Sequence, residues 1–118
     1  MVVADDDPSL RLLCRINLEL EGYRVVEAES GEALERVLAT DDVSVILLDI
    51  QLGSADGVSI ARALRETHPH VGVAFFSGSV PDLDGDARTL VTRVLPKPFS
   101  LEELSRTVRE LARRPPPA

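Results

Sequence analysis

The sequence predicts an α/β domain, a five-stranded parallel sheet in the order 2-1-3-4-5 with helices on both faces. Three observations carry this. Strand-like and helix-like segments alternate five times along the chain. The stretch Val43-Ser44-Val45-Ile46-Leu47-Leu48 is short, apolar but for Ser44 and rich in β-branched residues, the pattern of a strand buried on both faces. A carboxylate, Asp49, follows directly, where the carboxyl end of such a strand reaches the sheet rim. Open α/β sheets place their ligand sites at that rim, and everything functional below depends on what surrounds Asp49.

Taken in order, Met1 to Ala4 form a short first strand. Asp7 caps a helix that has Pro8 in its first turn, runs from Ser9 to about Glu21 and stops at Gly22. Leu12, Leu13, Ile16 and Leu20 are its expected apolar stripe. Tyr23 to Glu27 read as the second strand. Ser30 caps a second helix with Ala33, Leu34, Val37 and Leu38 on one side. Gly57 opens the third helix, with Ile60, Ala61 and Leu64 inward and His68-Pro69 closing it. Val71 to Phe76 form the fourth strand, which ends at Ser77-Gly78.

Alternation then calls for a helix over Val80–Leu90, although Pro81, Gly85 and three Asp residues give it poor propensity. Thr92 to Leu95 form the fifth strand, followed by Pro96-Lys97-Pro98-Phe99. Ser100 and Glu103 make a capping box for the last helix, where Leu101, Leu104, Val108 and Leu111 repeat at helical spacing. Arg113-Arg114 suit its C-terminal dipole. The domain is read as residues 1–113, with 114–118 a Pro-rich tail or the start of a stiff linker.

Composition narrows the function. A chain of 118 residues suffices for one core. Aromatics are 3% and Trp is absent, so that core is aliphatic. A net charge of −7 argues against direct nucleic-acid binding by this domain, since phosphate backbones demand a basic face. The single Cys14 excludes an internal disulfide and reads as a small helix-packing residue. It fits a reducing compartment, and with no apolar run of membrane-spanning length the expected location is cytoplasmic, away from the membrane. His68 and His70 flank Pro69 in an expected exposed loop.

With strands 1 and 3 adjacent, Asp5 and Asp6 come to lie beside Asp49, although 43 residues separate Asp6 from Asp49. At about 4 Å and an effective dielectric near 20, each such pair repels by roughly 4 kcal/mol. A hard divalent cation with oxygen ligands offsets this, and Mg²⁺ takes one or two carboxylates while keeping waters for a phosphate. Ser77 and Lys97 end the fourth and fifth strands at the same rim. Acids, cation, hydroxyl and ammonium make a phosphoryl site with Asp49 as nucleophile.

The motifs Val2-Val3-Ala4-Asp5-Asp6-Asp7-Pro8, Leu47-Leu48-Asp49, Asp56-Gly57, Phe75-Phe76-Ser77-Gly78 and Lys97-Pro98-Phe99 resemble, in this order and over essentially the whole chain, the receiver domain of bacterial two-component response regulators. The resemblance implies a flavodoxin-like fold and a signalling domain whose own chemistry is limited to self-phosphorylation and autodephosphorylation. It implies Asp49 as the phosphoacceptor, supplied by a histidine kinase or phosphotransfer protein. Mg²⁺ would be held by Asp6 directly, by Asp5 chiefly through water, by Asp49 and by the backbone carbonyl of Gln51. Ser77 and Lys97 would bind the phosphoryl group, and Gln51 and Ser79 would tune dephosphorylation. A cis Lys97-Pro98 bond is implied too, as is an output surface, and possible homodimer face, formed by the fourth helix, fifth strand and last helix.

This sequence departs from the family pattern in three places. Val94 stands where the family usually carries a switching aromatic, Gly53 replaces a common Pro, and the fourth helix, in a slightly short span from Ser77 to Lys97, is poor in helix formers. These departures suggest an alternative, a receiver-like interaction module that works without phosphate. A third reading is an Asp-nucleophile phosphatase of the haloacid dehalogenase type, but such enzymes want a second Asp where Gln51 stands.

Overall fold

The side chains of the central strand alternate between two aliphatic cores. The computed structural model describes residues 1–77 and 93–113, apart from the side chains of Ser77 and Arg113. The expected helix over Val80–Leu90, the residue Ser79 and the Pro-rich tail lie outside the described residues. The elements in chain order are β1 (Val2–Ala4), α1 (Pro8–Leu20), β2 (Val26–Ala28), α2 (Gly31–Thr40), β3 (Val45–Asp49), β4 (Gln51–Leu52), β5 (Ala55–Asp56), α3 (Gly57–Thr67), β6 (Gly72–Ser77), β7 (Arg93–Pro96) and the C-terminal helix α4 (Leu101–Arg113).

The main sheet has the order β2-β1-β3-β6-β7, and each neighbouring pair is parallel. Without the small hairpin β4–β5, this is the expected order 2-1-3-4-5. Ile46 and Leu48 face one core with Val2, Ala4, Val73, Phe75, Leu34 of α2 and Leu64 of α3. Val45 and Leu47 face the other with Val3, Ala74, Phe76, Cys14 and Leu18 of α1, and Leu104, Val108 and Leu111 of α4. A sheet covered on both faces needs strands that are apolar at every position, and Val45 to Leu48 are wholly buried.

The caps form as expected. Asp7 Oδ1 accepts from the N–H groups of Ser9 and Leu10, and Ser30 Oγ accepts from Ala33 N–H. Ser100 and Glu103 complete the capping box in both directions. Gly22, at φ 98°, ends α1 in a Schellman turn, with Tyr23 N–H donating to Leu18 O and Gly22 N–H to Glu19 O. That turn delays β2, which starts at Val26 rather than Tyr23.

Two expectations fail. On α1 the buried residues are Cys14 and Leu18, while Leu12, Leu13, Ile16 and Leu20 are exposed, Leu20 at 82%. Polar tethers on both flanks turn the helix this way. Arg11 reaches Glu27 and the Asp5 carbonyl on one side, and Asn17 donates to Ser105 Oγ of α4 on the other. On α4, Leu101 is 39% exposed, and only Leu104, Val108 and Leu111 of the expected row enter the core. The hairpin β4–β5 was not anticipated, its strands being too short to show a period.

Candidate functional site

Three strands deliver the acidic cluster and its counter-ion to one rim. The chain leaves β1 at Ala4, which pairs with Leu48 on β3, so Asp5 and Asp49 each stand one step beyond that pair. Asp5, Asp6 and Asp49 offer carboxylate oxygens all within 4.8 Å of one another. Asp5 is the one fully buried charged residue among those described, and Asp6 is exposed. The Asp49 side chain keeps 13% of its surface open. Lys97, just past β7, places Nζ 2.9 Å from Asp5 Oδ2 and 3.4 Å from Asp49 Oδ2. Its ammonium lies 5.8 Å from the ring centroid of Phe76, which stacks on Phe99 at 5.1 Å. The Lys97-Pro98 peptide is cis.

Asp5 is held on every side. Its N–H donates to Ala28 O on β2, its carbonyl accepts from Arg11 Nη1 at 2.7 Å, and its Oδ1 accepts from Asp7 N–H at 2.9 Å. Asp49 is held less: Gln51 N–H donates to Oδ1 at 3.2 Å, and Lys97 reaches Oδ2. Burial raises the Asp49 carboxyl above its ordinary range and the neighbouring Asp5 charge adds to this, against the opposing pull of Gln51 N–H and Lys97. For Lys97 burial pulls downward, but Asp5 and then Asp49 outweigh it and hold the ammonium above its usual value. Burial, reinforced by the charge of Asp5, pushes the Cys14 thiol up to about 12 and leaves it inert.

The loop after Asp49 is fixed by a glycine. A Cβ at Gly57 would stand 2.3 Å from Asp49 O and 2.7 Å from Ile50 O, so only glycine lets α3 approach the backbone of Asp49. Gly57 N–H donates to Ile50 O, and Asp56 caps the helix by accepting from Val58 N–H. The Asp56-Gly57 pair is therefore a helix start that also seats Asp49.

Asp5, Asp6, Asp49 and Lys97 thus converge as the sequence predicts. Gln51 lies beside Asp49 in β4, and the backbone of Ser77 ends β6 opposite Pro96, its side chain outside the described residues. The sequence reading missed Arg11, Glu27 and the close seat of Gly57. A charged residue on a helix flank gives a faint signal, and its partners become visible only once the sheet is assembled.

A doubly wound sheet with three carboxylates and one ammonium at its carboxyl rim defines a class, the small α/β domains that carry an acidic pocket at the switch point. Within that class the chain belongs to the response regulator receiver domain family, whose sequence model matches residues 1–109. Curated relatives include the sensor kinase CckA of Brucella abortus, 36% identical over 118 residues, which covers 94% of this chain and 12% of that protein. The response regulator MprA of Mycolicibacterium vanbaalenii is 33% identical over 123 residues, covering 99% of this chain and 52% of that protein. The chain thus spans about half or less of these relatives. Among solved structures, the receiver domain of NtrX from Brucella abortus superposes with a TM-score of 0.87 at 21% identity, covering 94% of this chain and 96% of that one. TrrA from Thermotoga maritima, determined in complex with Mg²⁺ and BeF, has a TM-score of 0.85 at 24% identity, with coverage of 93% and 96%. These likenesses establish the fold.

Proposed function

We propose that this receiver domain accepts a phosphoryl group on Asp49 from a phosphohistidine of a histidine kinase or phosphotransfer protein, in a Mg²⁺-dependent reaction. The observation that carries this is the convergence of the Asp5, Asp6 and Asp49 oxygens within 4.8 Å, with Lys97 bridging Asp5 and Asp49. An Asp49 oxygen forms the new P–O bond as the P–N bond breaks, and the departing imidazole nitrogen keeps the electron pair and takes a proton from solvent.

The donor set is all oxygen, with neither thiol nor imidazole, and so suits a hard cation. Asp6, Asp49 and the Gln51 carbonyl would hold Mg²⁺, with Asp5, whose oxygens accept the shorter bonds from Asp7 N–H and Lys97, acting chiefly through water. Bound there, Mg²⁺ supplies charge neutralisation at the transferring phosphoryl oxygens. TrrA, with its Mg²⁺ and BeF, supports this reading by analogy. Lys97 stays ionised and moves its free hydrogen bonds to the phosphoryl oxygens. Ser77 binds a third oxygen, and Ser79 and Gln51 set the access of hydrolytic water. The added charge of roughly −1.5 to −2 then draws the loops after β6 and β7 inward and signals through that face.

Incubation with a small phosphodonor and Mg²⁺ followed by intact-mass measurement tests the reading. One phosphoryl increment is expected on the wild type and none on Asp49→Asn. An unchanged wild-type mass, or equal labelling of the variant, overturns it.

A further inference from the structure

Arg11 sits where none of the chemistry above uses it, on the flank of α1 with its side chain 12% exposed. Its fork spans two elements. Nη1 donates to the backbone carbonyl of Asp5 at 2.7 Å, and Nε donates to Glu27 Oε1 on the edge strand β2 at 3.2 Å. The other Glu27 oxygen accepts from the half-exposed Arg15 Nη1 at 3.2 Å, a surface pair that adds little to the brace. Asp5 is the residue at which the chain leaves β1 and turns into Asp6. Its N–H is tied to Ala28 and its carbonyl to Arg11, and both ties run to β2 or through it. Asp6 has neither burial nor a hydrogen bond of its own among the described contacts, so its carboxylate is placed by the backbone of Asp5.

We infer that Arg11, braced by Glu27, is a positioning residue that holds the Asp5–Asp6 turn in the geometry that binds the divalent cation. The inference rests on the cation-site reading above and extends it to two residues that touch neither cation nor phosphate. A point charge cannot replace the brace. Lysine keeps the positive charge but offers no planar fork to grip a carbonyl and a carboxylate at once. The opposite effect is the alternative, in which Arg11 is only a cation near an acidic pocket. Its charge would then repel Mg²⁺, and removing it would tighten binding.

The sign of the change in Mg²⁺ affinity separates the two. Titration calorimetry with Mg²⁺ alone is run on the folded wild type, Arg11→Gln, Arg11→Lys and Arg15→Gln, well below their melting temperatures. Arg11→Gln and Arg11→Lys are expected to weaken binding by roughly 10-fold, the effect typical of losing a group that orients a metal ligand. Arg15→Gln, whose exposed ion pairs do not reach Asp5, is expected to stay within about twofold. In a parallel measurement, phosphodonor labelling of Arg11→Lys should need more Mg²⁺ for half-saturation yet recover the wild-type rate at saturation, whereas general damage to the fold lowers both. Tighter or unchanged binding in Arg11→Gln overturns the inference while leaving the cation site intact. If Arg11→Gln does not fold, unchanged affinity in Arg11→Lys overturns it equally. Wild type that binds no Mg²⁺ removes the site and the inference together.

Discussion

At the scale of single residues, Asp49 is destabilising in its ionised form. Burial and the charge of Asp5 push its carboxyl upward, and Lys97 at 3.4 Å offsets this only in part. The native state therefore holds the Asp49 proton more tightly than the unfolded chain does. The sign follows: between the ordinary carboxylate value and the raised native one, this group adds stability as pH falls, and it costs stability above that window. Asp49→Asn removes the cost. Without metal at neutral pH, the variant is expected to be more stable than the wild type and to melt at a higher temperature. That advantage should shrink on mild acidification as wild-type Asp49 takes up its proton. Paired thermal melts across pH in a chelator-treated buffer measure the difference, and a variant less stable than the wild type at pH 7 would contradict it.

At the scale of elements, α1 shows how one helix can carry two credible apolar rows. Leu12, Leu13, Ile16 and Leu20 make the longer row, yet the buried one runs through the smaller set of Cys14 and Leu18. The choice is made by Arg11 and Asn17, whose partners Glu27 and Ser105 lie on other elements, 16 and 88 residues away. Hydrophobic periodicity carries no such information, so it identified the helix and misplaced its face. The strand ends were legible for the opposite reason. Asp49 and Lys97 stand beside short apolar runs whose burial requires a sheet, and a parallel sheet puts their carboxyl ends at one rim. The hairpin β4–β5 and the seat of Gly57 against Asp49 depend on backbone contacts that composition does not record.

The assignment of the α1 face is itself testable. Leu18→Ala should cost about 2–5 kcal/mol by opening a cavity, while Ile16→Ser should stay within about 0.5 kcal/mol. Urea melts of the two variants compare the faces, and the reverse order would restore the longer row to the core.

At the scale of the whole molecule, the site lies where the two halves of the sheet diverge, so occupation of the pocket and stability of the domain are linked. The acids come from the ends of β1 and β3, and the ammonium follows β7. In the unfolded chain, Asp6 and Asp49 are separated by 43 residues and do not bind a cation together. Mg²⁺ held there as proposed would bind the native state preferentially and stabilise it by RT ln(1 + [Mg²⁺]/Kd), about 2.7 kcal/mol at a hundredfold excess over Kd. For a domain of this size that raises Tm by roughly 10 °C. A net charge of −7 means that any salt adds some stability by screening, so the comparison must be with NaCl at equal ionic strength. Against that control, Tm should climb steadily with log[Mg²⁺] above Kd and return to its starting value with EDTA. Asp49→Asn starts higher without metal, and the loss of a ligand delays its climb to higher Mg²⁺, so the two curves should cross as Mg²⁺ increases. A wild-type response no larger than that to NaCl would mean that the acidic cluster is only a solvated rim, and curves that stay parallel would mean that Asp49 takes no part in holding the ion.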